Sequence, residues 1–260
     1  MKKTLYPTLI VFFIALCMLR GIASADIMMR QKHHTDSYQI MGNKLPAKDS
    51  IETIWITKEG FRSEGDENIM IFRVDKNIAY IIGKKDKTYM EQSLNVGKVI
   101  NEALNEKGMS SEDKKAMNSM MKNMMEFKLT ISETKETKKI NTWNCKKYEM
   151  KLDTVMGPSL TNIWATQDIK MDQALFSKYK ALSMSITSQA GLKDSFEKAQ
   201  KEYSKIKGIT VLSSTSTNIM GSQMKSTVEL LEYNEGKAPA GVLDIPAGYK
   251  KVSAPAMMSK

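Results

Sequence analysis

The chain has 260 residues, 42% of them hydrophobic and 26% charged, with a formal net charge of +10 at neutral pH. This length is enough to bury the core of one large domain. The dispersed basic charge includes no block long enough to act as a nucleic-acid-binding arm, and two histidines are too few for a hydrolytic zinc site.

The N-terminus has the three parts of a secretory signal peptide. Lys2 and Lys3 form the positive region, residues 6–19 are apolar, and Ala23-Ser24-Ala25 is a small-residue cleavage site. Leu16 precedes Cys17 where a lipoprotein signal requires a small residue, so we expect an unanchored periplasmic protein. Cleavage after Ala25 leaves a net charge of +7, which favours transient contact with an anionic membrane surface over any contact with nucleic acid.

The first part of the mature chain predicts an antiparallel meander. Short runs of strand-forming residues separated by turn residues predict strands over residues 28–41, 50–57, 61–64, 68–74, 78–82 and 87–92. The middle strands are apolar on both faces, since Met70, Phe72 and Val74 alternate with Ile69 and Ile71. An antiparallel sheet with one solvent-exposed face has polar residues on that face, so we expect both faces to be covered there.

Two helices are predicted to follow, over residues 96–106 and 110–127. Ser110 and Asp113 have the spacing of a capping box that starts the second helix. The apolar stripe of this helix consists of Met117, Met120, Met121, Met124 and Met125. Such a stripe is typical of an ordinary core helix, whereas the flexibility of methionine also suits a lid over a variable apolar ligand.

The remainder of the mature chain predicts further strands around a helical segment. Strands are expected over residues 127–132, 148–156, 160–166, 209–217, 223–233 and 242–245, and helices over 171–206 with a break near Gly191. Residues 26–252 are therefore expected to form a single domain, with a frayed tail at 253–260. Cys145 is the single cysteine of the mature chain, so an internal disulfide is excluded.

The sequence carries few signals of catalysis or metal binding. It lacks a nucleophile elbow, a zinc-protease motif and a phosphate-binding glycine loop, so we expect neither an enzyme nor a bound cofactor. His33, His34 and Asp36 lie close to Met28 and Met29, which leaves binding of Cu(I) or Ag(I) open. Adjacent strand residues point to opposite faces, however, so both histidines cannot join one site without a bulge.

The order of these segments resembles the LolA/LolB-like periplasmic half-barrel superfamily, in particular an uncharacterised branch similar to outer-membrane lipoprotein-sorting proteins. The resemblance rests on the runs "GFRSE", "FRVDKNIAYII", "KTYMEQ", "CKKYEMKL", "GPSLTNIWATQDI" and "LDIPAGYKKV". It implies an α+β fold in which a curved antiparallel sheet of about eleven strands forms an unclosed half-barrel, with helices over its concave face. Arg62 and Tyr80 would lie on early strands, Trp164 on a later one, and residues 117–125 among the covering helices.

Three functional hypotheses follow. The first is a non-catalytic periplasmic carrier or binding protein for a lipid or for the acyl chain of a lipoprotein, held beneath the methionine helix. The second is an envelope-stress sensor or interaction module that binds a protein partner on the same concave face, and the third is a structural protein with a filled core. For the carrier, the expected ligand-lining residues are Met117, Met120, Met121, Met124, Met125, Met70, Phe72, Tyr80, Tyr148, Met150 and Trp164.

Overall fold

The computed structural model describes residues 25–40, 42–94, 110–125, 127–155, 157–170, 175, 193–219 and 221–253. Within these ranges, the side chains of residues 114, 118, 121–125, 193–196 and 219 are outside the description. The predicted signal peptide, except for Ala25, the predicted helix 96–106, most of the segment 171–192 and nearly all of the predicted tail lie outside the described residues.

The described residues form fourteen strands and two helices of several turns. The strands of the first half are β1 (Asp26–Thr35), β2 (Tyr38–Ile40), β3 (Asn43–Leu45), β4 (Lys48–Ile56), β5 (Gly60–Glu64), β6 (Asn68–Arg73), β7 (Ile78–Gly83) and β8 (Thr88–Ser93). Helix α1 (Ser111–Met125) precedes β9 (Phe127–Ile140), β10 (Trp143–Thr154) and β11 (Gly157–Thr166). Helix α2 (Lys193–Tyr203) precedes β12 (Ile209–Ile219), β13 (Ser222–Gly236) and β14 (Lys250–Lys251).

Twelve of these strands form one large, curved, unclosed sheet in the order β14-β8-β7-β6-β5-β4-β1-β13-β12-β11-β10-β9. Strands β2 and β3 make a separate two-stranded ribbon. The expectation of a mostly antiparallel, unclosed sheet is confirmed, with twelve strands in place of about eleven. The helical content of the described part is smaller than expected.

Strand β1 joins the two halves of the sheet. It pairs with β4 on one side and with β13 on the other, so the first long strand of the domain lies between the meander β4–β8 and the later strands β9–β13. The predicted first strand, residues 28–41, is too long. Strand β1 ends at Thr35, and the chain then turns into the β2–β3 ribbon around Gly42, whose φ is +80°.

One face of the sheet, here called the core face, is apolar across its central strands. Register places Met29 beside Ile54 and Ile27 beside Ile56, and Phe61 then lies opposite Phe72 with ring centroids 4.2 Å apart. Because paired residues of neighbouring strands share a face, these side chains form one continuous surface. The main buried cluster includes Ile27, Met29, Ile54, Ile56, Phe61, Ala79, Leu94, Leu175, Val211 and Leu230.

The opposite face is covered at β6 and β7 by the C-terminal segment of the chain. Ile69, Ile71 and Ile82 form a second buried cluster with Leu243, against which Val242, Ile245 and Tyr249 pack. The prediction that residues 242–245 form a strand is wrong, because this segment is a series of turns whose apolar side chains point onto the sheet. The doubly apolar pattern of the middle strands is thus explained on this side by the chain itself.

Polar contacts hold the same segment in place. Arg62 donates to the backbone oxygen of Val242 at 3.3 Å and bonds Glu64 at 2.6 Å. Strand β14 then pairs in parallel with β8, where Lys250 N donates to the Lys87 oxygen at 2.9 Å. The end of the domain is therefore anchored at one edge of the sheet.

The two helices differ in how other parts of the chain hold them. The capping box of α1 is confirmed, since the Asp113 amide donates to Ser110 Oγ at 3.1 Å and the Ser110 hydroxyl donates to the Asp113 carboxylate at 2.7 Å. Helix α2 packs against β9, with Ala199 buried. Helix α1 has no comparable packing against any of the strands that the structure describes.

Helix α2 and the turn after it cap the outer edge of β9. The Ile131 amide donates to Glu202 Oε2 at 2.7 Å, and Lys205 Nζ donates to the Ile131 oxygen at 3.2 Å, while Glu202 and Lys205 bond each other at 2.7 Å. These side chains satisfy two backbone groups that a neighbouring strand would otherwise pair. Lys205 and the Ile131 amide lower the pKa of Glu202.

Leu243→Ala is expected to destabilise the protein by about 2–5 kcal/mol, because it empties part of a buried cluster that the remaining side chains cannot refill. Leu243 is 6% exposed, whereas Val252, in the same C-terminal segment, is 40% exposed. Val252→Ala is the matched control and is expected to change stability little. Urea denaturation measures both, and equal effects would contradict the covering role of the segment.

Glu202→Gln is expected to lower the free energy of unfolding at neutral pH, because it removes the charge that bonds Lys205 and Ile131. A carboxylate whose pKa is lower in the folded state stabilises fully above its unfolded pKa, and this contribution is lost as the pH falls through the folded pKa. The difference between variant and parent should therefore shrink in acid. Denaturation curves at neutral pH and below about pH 4 measure this change.

Glu67→Gln is the control for that experiment, since Glu67 bonds Lys48 at 2.8 Å on the surface and its carboxylate has no contact of this kind with a backbone amide among the described residues. An exposed pair contributes little to stability. A loss of stability as large for Glu67→Gln as for Glu202→Gln would show that capping the edge of β9 adds nothing.

Candidate functional site

Two of the predicted lining residues, Met70 and Phe72, continue the core face through β6. The apolar surface reaches them from β1 through β4 and β5. Tyr148 and Met150 lie on β10, in register with Ile163 and Thr161 of β11, and belong to a separate buried cluster. Phe72 and Met150 are half-buried, Met70 is 40% exposed, and Tyr148 is 1% exposed. The face thus retains apolar surface beyond the fully buried core.

The structure packs Trp164 against the main buried cluster of this surface, but it does not bring Tyr80 there. Tyr80 faces Ile71 on the opposite side of β6 and β7, where its ring lies 6.2 Å from that of Tyr89 under the C-terminal segment. Trp164 is in register with Lys147, which alternation along β10 places on the same face as Cys145, a buried member of the main cluster. The Lys138 ammonium lies 4.1 Å from the centroid of the Trp164 ring.

The methionine helix is described in part. Its backbone is helical over Ser111–Met125, and among its predicted lining side chains Met117 is half-buried and Met120 is 59% exposed. The side chains of Met121, Met124 and Met125 lie outside the described part. The lid therefore stays a prediction.

At the end of the core face formed by the C-terminal part of β1, the surface becomes polar. His33 Nε2 lies 2.9 Å from Glu52 Oε2, and the buried Ser63 hydroxyl donates to the other oxygen of the same carboxylate. A cavity of about 240 Å³ lies against these three residues and Met70. The carboxylate is the centre of this arrangement, so the histidine does not contact the serine as a general base would.

The two histidines lie on opposite faces of β1, as strand alternation predicts. His34 bonds Asp49 and Asp36, each at 3.0 Å, and these carboxylates raise its pKa, with the Asp49 hydrogen bond as the largest cause. Within the described ranges, no group of three or more histidine, cysteine, aspartate or glutamate side chains is arranged to hold a metal ion.

A larger cavity, of about 590 Å³, lies at the end of strands β9, β10 and β11. Two shifts of strand register adjoin it. One lies between Lys146 and Tyr148 in the pairing of β10 with β9, and the other is a β-bulge between Trp164 and Ala165 in the pairing of β11 with β12. Bulges re-aim side chains and are common next to functional sites. The cavity is lined by Glu133, Thr137, Lys138, Lys139, Asn144, Cys145, Lys146, Tyr148, Ala165, Gln167, Asp168 and Lys207.

Buried contacts fix the floor of this cavity. The Thr166 hydroxyl donates to the Asn144 oxygen at 2.8 Å and accepts from the Asp168 amide at 3.1 Å. The Tyr148 hydroxyl accepts from the Lys207 amide at 3.2 Å. Gly208 follows with φ +90°, and its Cα lies so close to the Thr166 carbonyl oxygen that a Cβ would overlap it. Lys207 is therefore positioned by rigid backbone.

Positive charge predominates around the cavity. Of the six charged lining residues four are lysines, and the two acids already have partners. Glu133 bonds Lys146, and Asp168 Oδ2 accepts from the Asn144 backbone at 2.7 Å. Cys145, on the floor, is 2% exposed, and burial raises the pKa of its thiol.

Sequence reasoning missed this cavity, although a signal was present. Residues 138–147 read KKINTWNCKK, with a lysine pair on each side of a hairpin turn. Antiparallel pairing brings such pairs together across the hairpin, as the register of Lys138 with Cys145 and of Lys139 with Asn144 confirms. Lys207 is distant in sequence and could not be added to the site without the fold.

Of the comparisons with protein families, curated proteins and solved structures, the last gives matches, and the similarity is weak. No protein-family model matches the chain, and no curated protein matches it. Among solved structures, the chain is similar to a Vibrio parahaemolyticus domain named for outer membrane lipoprotein sorting. The match covers 90% of this chain and 95% of that one, at 6% identity and a TM-score of 0.32, so the resemblance is weak and carries no argument about function.

The helices of the described part include none that is both long enough and apolar enough to cross a membrane.

Gly208→Ala is expected to destabilise the protein for two reasons. A left-handed backbone at a residue other than glycine costs about 1–3 kcal/mol. The added methyl group also overlaps the Thr166 carbonyl, so the total loss should be clearly larger. Gly221→Ala is the matched control, with φ +82° and nothing within 4 Å of its Cβ position. Thermal and urea denaturation of both variants separate the two costs. Equal losses would mean that the backbone at Lys207 shifts freely.

Proposed function

We propose that this protein is a non-catalytic carrier or binding protein for a lipid or for the acyl chain of an acylated protein. The observation that carries the proposal is the continuous apolar core face of an unclosed twelve-stranded sheet. A closed barrel would enclose such a surface, whereas an unclosed sheet leaves a side from which a long apolar ligand enters.

The energetics of burial support an acyl ligand. Burying one methylene group contributes about 0.8 kcal/mol, so a chain that covers only part of the core face still binds with useful affinity. Phe72 is half-buried and Met70 is 40% exposed, so both side chains retain apolar surface for contact. Flexible methionines adapt to ligands of different shape.

The predicted signal peptide supports a role outside the cytoplasm. In our proposal the protein works in the periplasm, where a carrier shields acyl chains from water. The net positive charge of the mature chain favours brief contact with anionic membrane surfaces, at which cargo is exchanged.

Uptake of a fluorescent long-chain fatty acid by the purified protein tests the proposal. Met70→Asp and Met120→Asp are expected to weaken uptake by about tenfold or more, because each introduces a charge beside the bound chain. Both side chains are partly exposed, so the substitutions should leave the fold intact. Native mass spectrometry of the protein as isolated from cells then identifies any lipid that copurifies.

Leu45→Asp is the control, since Leu45 is 38% exposed and lies in the β2–β3 ribbon, outside the large sheet. It should leave uptake unchanged. No copurified lipid together with no probe uptake would overturn the carrier function. Retention of a protein partner that Met120→Asp abolishes, in the absence of lipid uptake, would instead identify an interaction module.

A further inference from the structure

The cavity between β9, β10 and β11 has features that an acyl-binding surface does not require. Lysines surround it, while its floor is formed by Cys145, Tyr148 and Ala165, which are buried members of the apolar core clusters. A cationic rim above an apolar floor suits a ligand that carries a negative charge next to an apolar part.

Positive charge is in excess within the site, since four lysines and two carboxylates line it. Lys146 is bonded to Glu133, and Asp168 accepts from the backbone and side-chain nitrogens of Asn144 at 2.7 and 3.2 Å. The remaining lysines have no carboxylate bonded to them among the described residues: Lys138 lies over the Trp164 ring, and Lys207 Nζ contacts the Ser204 oxygen at 3.2 Å.

The site is also held in shape before any ligand enters. The backbone beside Lys207 is fixed by the Tyr148 hydroxyl and by the close approach of Gly208 to Thr166, and the hairpin that carries Lys138 and Lys139 is fixed by strand pairing. Because these contacts position the lysine backbones, binding an anion orders few additional groups. Lysine ammonium groups bind phosphate as point charges, without the fixed geometry of arginine.

We infer that this cavity binds a phosphate group, which the headgroup of an anionic phospholipid and free inorganic phosphate both supply. In the lipid form the inference rests on the proposed carrier function, since the acyl chains would extend from the phosphate onto the core face. Cys145 marks the point where the two regions meet, because it lines the cavity and belongs to the main buried cluster of the core face.

The test compares inorganic phosphate, phosphatidylglycerol and a diacylglycerol with the same acyl chains. The double variant Lys139→Gln/Lys207→Gln is expected to weaken binding of phosphate and of phosphatidylglycerol by about tenfold, since two charges near the anion are lost. It should leave uptake of the diacylglycerol, which lacks phosphate, unchanged. Added salt should weaken phosphate binding in the parent protein.

Lys151→Gln is the matched control, because Lys151 lies on the same strand as Lys146 but outside the cavity and bonds Asp153 at 3.3 Å. It should change none of the three affinities. Phosphate binding that depends on Lys139 and Lys207, without any lipid uptake, would support the anion site and overturn the carrier function. Uptake of both lipids that is indifferent to the double variant, or phosphate binding that Lys151→Gln weakens equally, would overturn the inference.

Discussion

Pairing of β1 with both of its neighbours is the interaction on which the rest of the structure depends. In the described sheet no other strand joins the meander β4–β8 to the later strands, so the two halves of the core face become one surface through β1. Ile27 and Met29 are buried at this junction. Since side chains alternate with a period of two, a slip of one residue here would turn both to the opposite face.

The alternation of side chains between the two faces of the sheet also explains why the domain needs its C-terminal segment. The meander β5–β8 alternates apolar residues on both faces, and the core face can bury only one set. Leu243 and its neighbours cover Ile69, Ile71 and Ile82 on the other side, where solvent would otherwise reach them. The segment does this with turns and one short strand, so its apolar residues follow no strand period and residues 242–245 resemble a strand only in composition.

The elements that the sequence predicts correctly are those that local periodicity determines. The hairpins β5–β8, the one-sided strands β9 and β10, and the capping box at Ser110 all follow from spacing within a few residues. The end of β1 at Thr35 and the register shift at Lys146 depend on partners distant in sequence, such as Lys225 and Glu133. The resemblance places Tyr80 among the lining residues, whereas register turns its side chain to the opposite face.

An amphiphilic ligand accounts for two features that a purely structural core leaves unrelated. The apolar core face would serve stability equally well if the cavity at β9–β11 were lined by neutral residues, and lysines near one another repel at a cost to stability. Conversely, a cationic cavity for a soluble anion needs no apolar floor. Cys145 connects the two, because it is a buried member of the main cluster and also lines the cavity. Its position is the physical reason to consider headgroup and acyl chain as parts of one ligand.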